Sequence, residues 1–352
     1  MRRFIIGAAL PLLITGCQGT SAVAPAPAGI NSAQFPMTGA MPAQLAMSGG
    51  MRMQSKVARF SDPIGTAGKA PPAVTWIFAA NGPGGNVDVY DAAKLTMIST
   101  CPCSGVGLAV DPRSGDLAVG ASSGSVTVWH VKKTIVQFAS LKLSQGPYAV
   151  GIAYDGKGDI YAANAGDNVI DFFSASLIKA GGGSPTRTIS TTNLVDAVYL
   201  AATKKNLVAD GDNQNGQPII VSINPMTGAD AIVQQVTSGT VPEGIVFDKQ
   251  QNLVFNDVGN QNTLEVFKKP WTGAPIQTFN YGSGAQSGYY AGISLNATQD
   301  TLWAGNFTFL NPSHAAGNLQ ANSYPLGSIG SSTPPIASEY YDSIAADPQA
   351  KL

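Results

Sequence analysis

Few side chains in this chain are equipped for nucleophilic, redox or metal chemistry: there are three cysteines and two histidines in 352 residues. Cys101-Pro-Cys103 is spaced to close a tight local disulfide in an oxidising compartment, or, reduced, to hold a soft metal or exchange thiols. The structural staple is the preferred reading of that pair, with redox or copper handling behind it. His130 and His314 are too few for a histidine-built zinc or copper site, though one acid/base or metal-binding histidine stays open. Met37, Met41, Met47, Met51 and Met53 crowd one segment, and Met51-Arg-Met53 has the spacing of a thioether site for Cu(I). With no His or Cys beside them, these methionines read first as low-complexity filler. Gly120-Ala-Ser122-Ser-Gly124 spells a nucleophile elbow, yet that motif needs a strand turning into a helix, and here it is a Gly/Ser turn between strands. The remaining candidates are oxygen-bearing: Glu243, Asp342, Asp196, Asn164, Asp257, Tyr148 and Tyr290. Gathered at one place they would suit Ca²⁺ or another divalent cation, whereas a solvated rim is the plainer account. No complete catalytic constellation emerges, which leans the reading away from an enzyme.

Whether those oxygens meet depends on the elements that carry them, and the elements repeat. One phrase, Gly-Ile-Ala-apolar-Asp followed by a turn, a strand, a Gly/Asn turn and a second strand, recurs along the chain. It begins at Gly107, Gly151, Asp196 (in place of Gly), Gly244 and Gly292, starts that lie 44, 45, 48 and 48 residues apart. That period matches the four-stranded blade of a propeller, about 40 to 50 residues. Two fragments remain, and they complement each other. Ser343-Ile-Ala-Ala-Asp347 is a first strand without followers, and Trp76-Ile-Phe-Ala-Ala-Asn81 with its partner NVDVY is a second and third strand without a first. Joined, they make a sixth blade whose innermost strand comes from the C-terminus, which leaves no open sheet edge at the junction. The expectation is therefore an all-β, six-bladed β-propeller over residues 74–352, with glycine at the head of each inner strand for close packing around the axis.

In such a ring, the loops joining second to third strands and those leading into the next blade share one face, at the mouth of the central channel. Just before each inner strand stand Val106, Val150, Val195, Glu243, Ala291 and Asp342; after each second strand stand Asn81, Ala121, Asn164, Gly211, Asp257 and Asn306. The Asn series reads first as turn structure, since Asn and Asp tolerate the left-handed region and cap their own turns. Cys101 and Cys103, between the outer strand of the first blade and Gly107, are expected on the same mouth.

The phrasing of these repeats resembles the NHL, YVTN and gluconolactonase-like group of bacterial propellers. That resemblance implies, for its hydrolase members, a divalent cation held near the axis by a Glu, an Asn and an Asp. Pro242-Glu243-Gly244 resembles the Glu-Gly-Pro phrase of that family only loosely and falls in a later blade, and Asn164 and Asp257 are candidates by position alone. The family's Asn-Gly and Pro-Asp-Gly phrases are missing, so a cation-dependent hydrolase or lactonase stays the second reading behind a binding scaffold.

Ahead of the repeats, Met1 to Cys17 reads MRRFIIGAALPLLITGC: a basic start, a short apolar run and Thr-Gly-Cys. The run is too short for a permanent span, which needs about 20 residues, and suits the h-region of a signal peptide. Its ending resembles the bacterial lipobox, which implies cleavage after residue 16 and acylation of Cys17, giving stable anchoring through the lipid. Gln18 rather than Asp after that Cys implies outer-membrane sorting in a two-membrane cell. Residues 17–73, rich in Pro, Ala, Gly and Met, read as a flexible tether reaching on the order of 40 Å, with Arg59 and Phe60 beginning to meet the domain. Composition agrees with this division: charged residues make up 12% of the chain and Gly numbers 40, against a helical bundle and for turn-rich β structure. A net charge of −1 excludes a strongly basic nucleic-acid binder. The expected partners are the membrane, through the lipid, and a protein, glycan or small ligand at the propeller face.

Overall fold

In the computed structural model, the apolar repeats build six antiparallel sheets of four strands each, and among the described residues there is one short helix, Ala175–Lys179. The structure describes residues 58–59, 75–81, 85–132, 134–145, 149–164, 168–235, 242–257, 263–280, 289–311, 314–326, 336–337 and 341–348. These fall in one compact unit, Pro36–Leu352. We number the blades I to VI and letter their strands A to D from the axis outward. Blade I is the junction: Tyr341–Ala346 is its strand A and pairs with Trp76–Asn81, followed by Asn86–Asp91 and Thr96–Ser104. The A strands of the following blades are Gly107–Val110, Ala149–Tyr154, Asp196–Ala202, Pro242–Phe247 and Tyr289–Leu295. The six-bladed propeller read from the repeats is thus the observed architecture, closed by its C-terminal strand.

Both faces of each blade are apolar, because each is covered by a neighbour. In strand B of blade I, Phe78 and Ala80 pack with Leu108, Leu117 and Val119 of blade II, while Ile77 and Ala79 pack with Trp303 and Leu319 of blade VI. Such a core lies between every adjacent pair, six in all. Around the axis the A strands touch backbone to backbone. A Cβ on Gly107 would stand 2.0 Å from the Val150 carbonyl oxygen, and one on Gly292 would stand 2.8 Å from Ser343 Cα, so larger residues are shut out. Ser343 takes the glycine's place in blade I and uses its side chain instead, Oγ accepting from Leu108 N at 3.1 Å. Tyr341 and Tyr90 lock the junction further, hydroxyl to hydroxyl with their rings edge-on at 87°.

Two elements extend the outer edge of blade II beyond four strands. Ala58–Arg59, inside the segment read as a tether, pairs with Ile135 and Thr134, and Gly182–Gly183 runs parallel to Ser140 and Leu141. Gly182 has φ +100° and leaves no room for a Cβ beside the Ser140 carbonyl. Blade VI differs at its B–C turn. Its strands Thr301–Asn311 and His314–Ser323 continue the ladder past Asn306, and His314 opens the second of them.

Candidate functional site

Strand register decides which of the oxygen-bearing residues share a level at the upper rim, the end of the ring where strands B finish and strands A begin. In five blades a residue at or near the end of strand B pairs with the start of the same blade's strand A: Asn81 with Tyr341, Asn164 with Ala149, Gly211 with Ala197, Asp257 with Pro242 and Asn306 with Tyr290. Asn164, Asp257 and Tyr290 therefore occupy one level in blades III, V and VI. Glu243 and Asp342 each follow by one residue, at equivalent positions in blades V and I. The side chains of Glu243, Asp257, Tyr290 and Asp342 lie outside the described residues, as do Cys17, Tyr148 and the methionine-rich segment. Asn164 is fully buried, and its Nδ2 donates to the carbonyl of Gln145, which ties the loop entering blade III to that blade's own strand B.

Blade IV corrects the repeat alignment. Leu207 pairs with Ala202 and Ala209 with Leu200, so the residue matching Gly151 is Tyr199, and Asp196 does not replace the glycine. Val198, rather than Val195, is the counterpart of Glu243. At the one-residue bulge between Ala197 and Leu200, which recurs at this level in blades I, III, V and VI, the Tyr199 N–H donates to Asp210 Oδ1 at 2.7 Å. Asp196, three residues ahead of Tyr199, stands at the rim directly across from Asp212. Both are buried, at 7% and 6% exposure. Burial, and then the neighbouring Asp196 carboxylate, raise the Asp212 pKa above its ordinary value of 3.8. Asp212 was not among the residues singled out from the sequence; the Asp210-Gly211-Asp212 run at the end of strand B is the signal that points to it.

Cys101 and Cys103 are disulfide-bonded, with S–S 2.01 Å, but they do not sit on the mouth. They lie within the outer strand Thr96–Ser104, where its pairing slips between Asn86 and Asp88. The extra residues turn both sulfurs inward, each residue 5% exposed, into the core shared with Leu108 and Val119. His130 is half-exposed on the opposite face, its Nδ1 2.7 Å from Asp116 Oδ1 and its ring stacked on Phe138 at 3.8 Å.

At that lower end, the Asp or Asn of the repeated phrase organises the A–B turn in blades II, III, V and VI. Asp155 Oδ1 accepts from the N–H groups of Lys157 and Asp159 at 2.6 and 3.3 Å, Asp111 Oδ1 from Arg113 N at 3.0 Å, and Asn296 Oδ1 from Asp300 N at 3.2 Å. Asp248 accepts from Asn252 N, Asn252 Nδ2 and the buried Tyr324 hydroxyl at 2.7, 2.8 and 2.9 Å, and its charge raises the tyrosine pKa after burial has done so. Between the two ends runs a cavity of about 390 Å³ lined by the A strands of all six blades, among them Leu108, Ile152, Tyr199, Ile245, Ile293 and Ile344. Its size suits a small ligand, and its charged and amide lining side chains, Asp248, Lys249, Gln251, Asn296 and Gln299, gather at the lower end. Among the described residues, no group of three or more His, Cys, Asp or Glu is placed to hold a metal ion.

Fold and cavity together define the class, a six-bladed β-propeller with an axial cavity. No protein-family model matches the chain, and no curated protein sequence matches it. Among solved structures it is similar to a protein of unknown function from Bacteroides caccae, with a TM-score of 0.57 and 9% identity over 78% of this chain and 99% of that one. At that identity the likeness is one of fold.

Proposed function

We propose that this is a lipid-anchored protein of the cell envelope whose propeller, of the NHL, YVTN and gluconolactonase-like type, serves as a rigid binding and interaction scaffold. One observation carries the binding reading: six inner strands from six blades converge on a cavity of about 390 Å³, held in shape by backbone contacts that admit no side chain at Gly107 or Gly292. A preformed cavity of this kind binds without the cost of ordering loops around a ligand. The anchor rests on Met1 to Cys17 alone. In cells producing the full chain, Cys17→Ser is expected to abolish incorporation of labelled fatty acid and to move the protein from the membrane to the soluble fraction. Covalent lipid persisting in that variant would overturn the anchor.

The paired Asp196 and Asp212 favour one competing account, a cation-dependent hydrolase using acids of the rim. Metal analysis and thermal melts of the full-length Cys17→Ser chain with Ca²⁺ and Zn²⁺, repeated for Glu243→Ala and Asp342→Ala, separate the two. The scaffold reading expects no stoichiometric metal and no change in Tm. A bound ion that both variants lose would replace it with the hydrolase.

A further inference from the structure

A second cavity, of about 480 Å³, opens from the lower end of the axial one, and Pro112, Tyr154, Ala202, Thr203 and Gln251 line both. Its own wall carries three lysines, Lys204, Lys205 and Lys269, against one acid, Asp155. That acid is committed to its turn through the Lys157 and Asp159 N–H groups. The lysines are exposed, and the ion pairs among the described residues lie elsewhere: Lys94 with Asp91, Arg113 with Asp111 and His130 with Asp116. Lys269 is oriented rather than neutralised. Its Nζ donates to Asn206 Oδ1 at 2.9 Å and lies 5.4 Å above the Trp271 ring, while Asn206 Nδ2 donates to Gln251 Oε1 at 2.7 Å.

The positive charge arises from a departure in the repeat. Blades II, III and V head the A–B turn with Asp111, Asp155 and Asp248; blade IV heads it with Thr203. The Thr203 hydroxyl does the same work, accepting from Lys205 N at 3.4 Å and Asn206 N at 3.1 Å, so the turn is kept while its negative charge is gone. Lys204 and Lys205 follow at once, and Lys249 and Lys268 are exposed on the neighbouring loops of blade V.

We propose that this lower-face cleft is an anion site, and that its ligand is a compact phosphate ester held by Lys204, Lys205 and Lys269. Lysine ammoniums act as point charges that gather a multiply charged phosphate without demanding the planar geometry that arginine reads. Asn206 and Gln251 fix Lys269 and give the wall its polar, neutral remainder. The three lysines line the lower cleft and not the axial cavity, so failure of this proposal would leave the scaffold reading standing.

Calorimetric titration of the full-length Cys17→Ser chain with inorganic pyrophosphate tests it. Saturable one-site binding that weakens with added salt is expected, and Lys204→Gln with Lys205→Gln should weaken it by about 10-fold or more. Lys94→Gln, at an ion pair on blade I, should leave it unchanged, and melting curves of each variant report whether the fold is intact. Absence of pyrophosphate binding in the folded protein, or equal affinity in the double variant, overturns the proposal. Sedimentation with phosphatidylglycerol vesicles separates the sources of phosphate. Vesicle binding that needs the same lysines but is not displaced by pyrophosphate would assign them to a membrane surface and overturn the soluble ester, whereas displacement supports it.

Discussion

Aspartates stand at both ends of the propeller channel and do opposite work. At the lower end they are surrounded by donors: Asp248 alone receives a backbone N–H, a side-chain amide and a tyrosine hydroxyl. At the upper rim of blade IV, Asp212 faces another acid, and burial together with the Asp196 carboxylate raises its pKa. A carboxylate wrapped in donors stabilises a fold; one set against a like charge in a poorly solvated place is left ready to take a proton. The residue type is therefore no guide to function in this ring. Its level in the blade is.

Removing a lower-end carboxylate gives the largest expected effect. Asp248→Ala would leave the Asn252 N–H and the Tyr324 hydroxyl, in the core between blades V and VI, without their acceptor. At 1–3 kcal/mol for each stranded buried group, the loss is about 3 kcal/mol, a fall in Tm of about 6 °C. An Asp212→Ala variant destabilised as much would break the contrast between the two ends. A smaller effect is expected where blade IV is brought back to the pattern of the others. Thr203→Asp keeps the turn acceptor and adds a charge beside Lys204 and Lys205, which should raise stability by about 0.5–1 kcal/mol, or about 2 °C in Tm. It should also weaken pyrophosphate binding by about 10-fold, because a unit charge now opposes the ligand within the cleft. Unchanged affinity would mean that the missing aspartate is not what makes the cleft positive.

How far the sequence reaches is shown best by blade IV. Blade number and ring closure were legible because the period is regular and the two orphan fragments fit each other, and the axial glycines were legible because only a residue without a side chain fits beside a neighbouring carbonyl. The phrase of blade IV is hard to place because apolar residues run unbroken through AVYLAA and no glycine marks the position that Tyr199 takes. The cysteine spacing pointed to a local pair but carried no sign that the strand folds both sulfurs into an inter-blade core. Of the site, the rim positions were legible through Asn164, Asp257 and Tyr290, whose register matches the repeat. Asp212 was not, since only cross-strand pairing brings it to Asp196, 16 positions away.

That pair supplies the subtlest test. A carboxyl whose pKa is raised on folding keeps its proton in the native chain at a pH where the unfolded chain has lost it. Its stabilising contribution is then fully present below the ordinary value of 3.8 and is lost as pH rises through the raised native value. Once pH has risen past that native value, the native chain carries an ionised Asp212 that burial and Asp196 both disfavour. Asp212→Asn keeps the shape and removes the charge, so it should raise Tm at pH 7 by about 1 °C and change it little below pH 3.8, where the wild-type carboxyl is already neutral. Paired melting curves at the two pH values read the difference directly. An equal gain at both would mean that the substitution acts through packing or the unfolded chain, and the acid pair would then carry no proton-linked strain. A gain at neutral pH alone would mark the upper rim of blade IV as the place in the ring where stability has been given up for charge.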